Sequence, residues 1–119
     1  MQEEKQIFTL KQVVVSIKKT IAARFQQNYW VKAELHKLNK FPSGHAFPEL
    51  VYHEEGQMVA QMRGVIWKND FQRINKQFIE VVKEPFKEGL TLLMLVRVYF
   101  DDKFGIGLQI LDIDPKEKA

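Results

Sequence analysis

Three runs of residues between positions 29 and 67 alternate in the manner of β-strands and are separated by short turns. The alternation predicts strands over 29–36, 45–53 and 58–67. Pro42-Ser43-Gly44 marks the first turn, because proline fixes φ and glycine permits a positive φ. Successive side chains of a strand point to opposite faces, so one face of such a sheet packs a core while the other is exposed. The pattern therefore predicts a sheet with one core-facing side and one exposed side that is available for binding.

Residues 9–26 carry the signals of a helix that precedes these strands. Thr9 is the predicted N-cap, and Gln12, three residues later, can complete a capping box. Phe8 and Val13 take the two positions of a hydrophobic staple. The residues that follow at helical spacing predict one apolar face, formed by Leu10, Val13, Val14, Ile17, Ile21 and Phe25.

A second helix and two further strands are predicted in the second half of the chain. Asn69 or Asp70 can cap this helix, and its apolar stripe consists of Phe71, Ile74, Phe78, Val81 and Val82. The segments that follow are a fourth strand over 90–100, a turn over 101–105 and a fifth strand over 107–114. Pro48 has no N–H for a strand ladder, so it predicts an edge or a bulge in the second strand.

The order of these elements is helix, three strands, helix, two strands. Five strands with a helix between the third and the fourth are the layout of the OB-fold, a partly open Greek-key barrel. The expected class is therefore mainly β, with a five-stranded barrel over about 29–114 inside one domain over 1–115. The charged tail 116–119 is expected to be disordered.

The composition fits one domain of 119 residues and excludes several chemistries. The absence of cysteine excludes disulfides, thiol nucleophiles and cysteine-based zinc sites, and suits a reducing cytosol. No apolar run predicts a signal peptide or a membrane span, so a cytoplasmic protein without a membrane partner is expected. The net charge is +3, and its excess lies in residues 1–68, where ten lysines and arginines face six carboxylates. An anionic partner is thus allowed but not required.

Three motifs in the strand region resemble a known family. They are Tyr29-Trp30-Val31-x-Ala33-Glu34-Leu35, Ser43-Gly44-His45-x-Phe47-x-x-Leu50 and Ala60-Gln61-x-Arg63-x-x-x-Trp67. Their combination resembles the N-terminal domain of the exodeoxyribonuclease VII large subunit. The resemblance extends from about Phe8 to Pro115 and therefore covers nearly the whole chain.

The resemblance implies an OB-fold that binds single-stranded DNA for a bacterial nuclease. In that family, catalysis belongs to a longer region that follows this domain, and an elongated helical part recruits small subunits. The implied partners are single-stranded DNA, the remainder of the large subunit and, through it, the small subunits. This chain is therefore expected not to be an enzyme by itself.

A surface for single-stranded nucleic acid needs cations for the phosphates and aromatic faces for the bases. The outward side chains of the first three strands, with one neighbouring lysine, offer that mixture, and the candidate binding residues are Lys32, His45, Phe47, Gln61, Arg63, Trp67 and Lys68. Lys32 and Arg63 are expected to hold phosphates, or Arg63 to stack. Phe47 and Trp67 are the expected platforms for bases.

The same residues allow a second interpretation. Phe47 and Trp67 could pack under the N-terminal helix or a loop, and Val59 and Val65 add apolar surface to the outward face. That face would then pack on the rest of the nuclease or on another subunit. The domain would in that case contribute little DNA binding of its own.

A third, enzymatic interpretation uses Asp112 and Asp114, which share one strand face, to hold Mg²⁺ for phosphodiester hydrolysis. The sequence offers no nucleophile and base with a third group to orient them, and no glycine-rich phosphate loop. The three histidines are not spaced as metal ligands. No cofactor and no metal are therefore expected.

Overall fold

The structure is a computed structural model that describes the backbone of residues 4–118 and the side chains of residues 4–115. Its helices and strands follow the predicted order. They are α1 (Leu10–Arg24), β1 (Asn28–Lys37), β2 (Glu49–Glu54), β3 (Gln57–Val65), α2 (Lys68–Val82), β4 (Thr91–Asp101) and β5 (Gly105–Lys118).

The five strands close into a barrel with the neighbour order β1-β2-β3-β5-β4. All neighbours are antiparallel except β3 and β5, which run parallel at Gly64–Leu108 and Val65–Gln109. In this order β5 lies between β3 and β4, so the segment that connects β3 to β4 must cross over β5. Helix α2 lies in that segment and packs against β5. This is the topology of an OB-fold, and the predicted mainly β, five-stranded barrel with two helices is confirmed.

The core is filled by inward side chains of every strand and by one face of α2. Phe71, Ile74 and Phe78 of the predicted α2 stripe are buried there, whereas Val81 is exposed. The predicted cap of α2 is wrong, since the helix begins at Lys68, ahead of both proposed cap residues, and its N-cap Trp67 has no side-chain cap hydrogen bond. The acceptor for the first turn is instead the ring of His45, which lies between β1 and β2.

Two strand predictions need correction. The second strand begins at Glu49 rather than at residue 45, because Pro48 directly before it cannot donate to the ladder. The fifth strand continues to Lys118 and pairs there with Leu92, so its predicted end at residue 114 is too early. Val65 lies outside the core cluster, in keeping with its predicted outward position, yet it is only 3% exposed, and residues of α1 and β4 line a cavity together with it. Ala119, the last residue of the predicted disordered tail, lies outside the described residues.

Helix α1 forms as predicted but does not bury its apolar face. The Thr9 side chain accepts from the Gln12 amide, and the Gln12 side chain accepts from the Thr9 amide, which completes the capping box. None of its residues is buried, and Leu10 remains 78% exposed. Only the side towards β4 is covered, where Ile21 and the C-cap Phe25 are half-buried. The first half of α1 therefore presents apolar surface to solvent.

Candidate nucleic-acid interface

The loop between β1 and β2, over residues 38–48, is held by backbone hydrogen bonds within the loop and to Ile66. The Gly44 amide donates to the Phe41 carbonyl at 2.9 Å, and the Phe41 amide donates to the His45 carbonyl at 2.9 Å. Ala46 exchanges two backbone hydrogen bonds with Ile66 directly after β3, at 3.0 and 2.8 Å. The side chains of this loop are therefore presented from a fixed backbone next to β3.

The Ser43-Gly44-His45 motif completes the N-terminus of α2. The His45 Nδ1 atom accepts a hydrogen bond from the Lys68 amide at 2.9 Å, which satisfies one of the free N–H groups of the first turn. Gly44 adopts a φ of +97°, and a Cβ there would lie 2.8 Å from Lys68 Cγ. Only glycine fits both the conformation and the close approach. The edge of the His45 ring also contacts Trp67, with 5.1 Å between centroids.

Aromatic rings of this loop and the ring of Trp67, the N-cap of α2, line a common cleft. Phe47 contacts Phe41 at 5.1 Å between centroids and Trp67 at 6.2 Å. The cleft has a volume of about 570 Å³ and lies between the β1–β2 loop and the β4–β5 turn. We call it the main cleft, and its aromatic and cationic lining consists of Phe41, Phe47, Arg63, Trp67, Tyr99 and Phe104.

Arg63 is the cation of the main cleft. Its guanidinium lies 5.9 Å from the centre of the Phe104 ring, which is 65% exposed in the β4–β5 turn. Across the ladder Arg63 is paired in register with Glu49, and Asp101 lines the same cleft. The cleft therefore combines exposed ring faces with one guanidinium and two carboxylates.

The β4–β5 turn is fixed by the carboxylate of Asp101. Its Oδ1 atom accepts from the backbone N–H groups of Lys103 at 2.8 Å and Phe104 at 2.9 Å. These two hydrogen bonds hold the pKa of Asp101 below its ordinary value, because they stabilise the ionised form. The carboxylate therefore sets the position of Phe104 at the edge of the main cleft.

Tyr99 forms the back of the main cleft. It is paired in register with Gly107 of β5, and a Cβ at Gly107 would lie only 2.6 Å from the Tyr99 hydroxyl oxygen. Burial raises the pKa of Tyr99, the Arg63 charge opposes that shift, and the Asp101 charge adds to it. The phenol is therefore a neutral hydroxyl at physiological pH and can both donate and accept a hydrogen bond.

The comparison with known families agrees with this geometry. The family model of the OB-fold nucleic acid binding domain matches residues 8–114. The chain belongs to this family. Domains of this family are found at the N-terminus of the exodeoxyribonuclease VII large subunit. A search of curated proteins found no match.

In OB-folds the loops between strands 1 and 2 and between strands 4 and 5 flank the face that binds oligonucleotides. The main cleft of this OB domain lies between those two loops and has β3 in its floor. The position of the cleft in the fold and the aromatic character of its lining thus coincide with where such domains bind nucleic acid.

The OB domain brings only some of the candidate binding residues together. Phe47, Arg63 and Trp67 line the main cleft. His45 and Lys68 lie beside it, where the His45 ring supports Trp67 and the start of α2. Two candidates lie outside this cleft, on the outer faces of β1 and β3, and they are Lys32 and Gln61.

The sequence interpretation did not name three aromatic residues that line the cleft, namely Phe41, Tyr99 and Phe104. Phe41 and Phe104 are both strongly exposed and lie in the two loops that flank the cleft. An aromatic residue within a turn of polar residues, as in Asp101-Asp102-Lys103-Phe104-Gly105, is the signal that could have indicated them. Tyr99 lies inside a strand and carries no such signal.

Asp112, one of the two carboxylates of the enzymatic interpretation, is bonded to a cation. Asp112 is paired with Arg73 of α2, with 3.1 Å between Oδ1 and Nη1. Arg73 also bonds Asp70 and the Leu111 carbonyl. Burial alone would lower the pKa of Arg73, but the hydrogen bonds and charges of Asp70 and Asp112 outweigh it, so the pKa is raised. Asp112 thus fastens α2 to β5, and across residues 4–115 no group of acidic and histidine side chains is arranged to hold a metal ion.

Within the described part of the chain, no helix combines the length and the apolar character needed to cross a bilayer.

Replacing Asp101 should release the β4–β5 turn. We expect Asp101→Ala to shift the amide signals of Lys103 and Phe104 in NMR spectra, whereas Asp101→Asn keeps an oxygen acceptor and should shift them less. Because the folded pKa is lowered, the stabilisation is complete above the ordinary value of 3.8 and is lost as pH falls through the folded value. The two amide signals should therefore titrate with a midpoint below 3.8, and a midpoint at or above it would contradict this role.

Proposed function

We propose that this chain is the single-stranded-DNA-binding domain of a bacterial exodeoxyribonuclease VII large subunit. It presents DNA to a catalytic region of the large subunit that lies outside these residues, in the cytoplasm and in a complex with the small subunits. The observation that carries the proposal is the main cleft, in which exposed aromatic rings and a guanidinium lie between the two binding loops of an OB-fold.

The side chains of the main cleft suit unpaired bases. Phe47 and Phe104 line the cleft from the β1–β2 loop and from the β4–β5 turn, and each base that stacks on a ring contributes about 1–3 kcal/mol. The Arg63 guanidinium can stack on a base or bond a phosphate. In a duplex the base faces are covered by their neighbours, so the rings can act only on a single strand.

The domain binds the strand in this function and performs no chemistry on it. Asp112, one of the two carboxylates considered for a metal, is bonded to Arg73 and to the Ile113 amide. Stacking and phosphate contacts carry little information about base identity, so the domain is expected to bind many sequences with similar affinity. Its contribution to the nuclease is therefore capture of the strand.

A titration of the 119-residue chain with a labelled single strand of about 20 nucleotides tests the proposal. Fluorescence anisotropy should show binding that is tighter than to a duplex of the same length. The affinity should fall between low and physiological salt, because each neutralised phosphate releases counterions. Equal affinity for the duplex, or no binding at low salt, would contradict the proposal.

A second candidate function is a packing domain within the nuclease. The observation that favours it is the uncovered half of α1, where Leu10, Val13 and Ile17 expose apolar side chains along one face. The occupant in that case is the remainder of the large subunit. No binding of single strands at low salt, together with association of this chain with the rest of the subunit, would favour packing over DNA capture.

A further inference from the structure

A second cleft lies between α1 and the barrel. It has a volume of about 510 Å³, and one wall is the C-terminal half of α1, including Lys18, Ile21 and Phe25. The opposite wall comes from β4 and β5 and includes Arg97 and Gln109. We call it the helix cleft. None of the β1–β2 loop residues of the main cleft lines it.

The two clefts share part of their lining. Val65, Trp67 and Tyr99 line both of them, so the clefts adjoin each other at these residues. Trp67 is 44% exposed at this junction, so part of its indole is open to a ligand. A flexible polymer can therefore occupy both clefts without turning away from the surface.

The charges of the two clefts differ. The main cleft sets Arg63 against two carboxylates, Glu49 and Asp101. Among the described residues that line the helix cleft there are two cations, Lys18 and Arg97, and no carboxylate. Phosphates are therefore favoured more strongly in the helix cleft than in the main cleft.

Arg97 is held in place for such a contact. Its Nε and Nη2 atoms donate to Gln109 Oε1 on the neighbouring strand at 3.3 and 2.9 Å. Those bonds use two of the five N–H donors of a guanidinium and fix its plane. Within residues 4–115, Arg97 takes part in no ion pair with a carboxylate.

Lys18 is the second cation. It pairs with Asp102 of the β4–β5 turn at 3.1 Å, and both side chains are more than half exposed. Exposed ion pairs of this kind contribute little stability, so a phosphate can take the place of the carboxylate.

We propose that the bound single strand continues from the main cleft past Trp67 and Tyr99 into the helix cleft, where Arg97 and Lys18 bind its phosphates. This inference rests on the proposed function, and it extends the binding surface from the face between the two loops to α1. In this arrangement α1 is one wall of the nucleic-acid path. The bases are held mainly in the main cleft and the following phosphates in the helix cleft.

Oligothymidylates of about 4, 8, 12 and 16 nucleotides, the range of site sizes of single OB-folds, separate the two clefts. We expect affinity to rise with length in the wild-type chain. Arg97→Ala should weaken the binding of the long strands several-fold and so remove most of that rise. It should leave the affinity for the shortest strand unchanged. It should also reduce the salt slope of the long strands by about 1. Lys18→Ala should act in the same direction.

Lys19→Ala is the matched control, since Lys19 is the next residue on α1 but does not line the helix cleft. It should leave the length dependence unchanged. Binding of the short strand with no rise at greater length, or an equal effect of Arg97→Ala and Lys19→Ala, would overturn the extended path and leave the proposed function intact. Failure of every length to bind would overturn both.

Discussion

Replacing Arg63 with alanine should weaken the binding of single-stranded DNA by about 10- to 100-fold, with little change in the midpoint of thermal unfolding. The loss combines one stacking or phosphate contact, at about 1–3 kcal/mol, with the change in local charge. Without Arg63, the main cleft retains the carboxylates of Glu49 and Asp101, which repel phosphate. Arg63→Lys should restore part of the affinity, because it returns the charge but not the planar group that lies over Phe104.

Lys32→Ala is the control for net charge. It removes the same unit of charge from an exposed strand position outside both clefts, so it should reduce affinity far less than Arg63→Ala. Equal losses in the two variants would show that binding follows overall charge and not the cleft. If the wild-type chain binds DNA and Arg63→Ala leaves the affinity unchanged, the main cleft is not the binding site.

The helices and strands could be predicted because their signals are local. The capping box that begins α1 needs only Thr9 and Gln12. The two-residue turn between β2 and β3 needs only residues that adopt a positive φ, as Glu55 and Gly56 do here. Alternation then assigns each strand residue to a face, and the order of strands and helices restricts the topology. These features depend on neighbours in the sequence, so the sequence alone was enough.

The burial of the outer face could not be predicted in the same way. Alternation placed Val65 outward, but it cannot show that this side chain is buried at a cleft that α1 and β4 also line. Leu10 and Ile17 show the opposite case. Their helical spacing predicts an apolar face, but both side chains are exposed, because the spacing cannot show whether another element packs against that face. Exposure at these positions depends on which elements pack together, and that is a property of the tertiary structure.

The positions of the candidate binding residues could be predicted only as far as strand parity reaches. Parity selected Phe47, Arg63 and Trp67, and these three line the main cleft. It also selected Lys32, which shares that parity but lies elsewhere around the barrel. His45 was grouped with the binding residues on sequence grounds, whereas its ring nitrogen is occupied by the Lys68 amide. Parity gives the face of a strand but not the position around a closed barrel.

Gly107→Ala should reshape both clefts through Tyr99. An added Cβ would lie 2.6 Å from the Tyr99 hydroxyl oxygen and 2.8 Å from its Cζ atom, so the ring must move from its present position. Overpacking of this kind costs about 1–3 kcal/mol of the free energy of unfolding. Because Tyr99 lines both clefts, we expect single strands of every length to bind about tenfold more weakly, if one stacking contact is lost.

A double-mutant cycle with Tyr99→Ala distinguishes displacement of the ring from a general effect on β5. Once the ring is absent, the Cβ at position 107 has no close contact with it, so Gly107→Ala should cost almost nothing further in the Tyr99→Ala background. The wild-type chain, the two single variants and the double variant are compared. Chemical denaturation gives the coupling in the free energy of unfolding, and DNA titration gives the coupling in the free energy of binding. Additive losses would show that the alanine acts on the β4–β5 ladder itself, and would remove Tyr99 as the link between Gly107 and the two clefts.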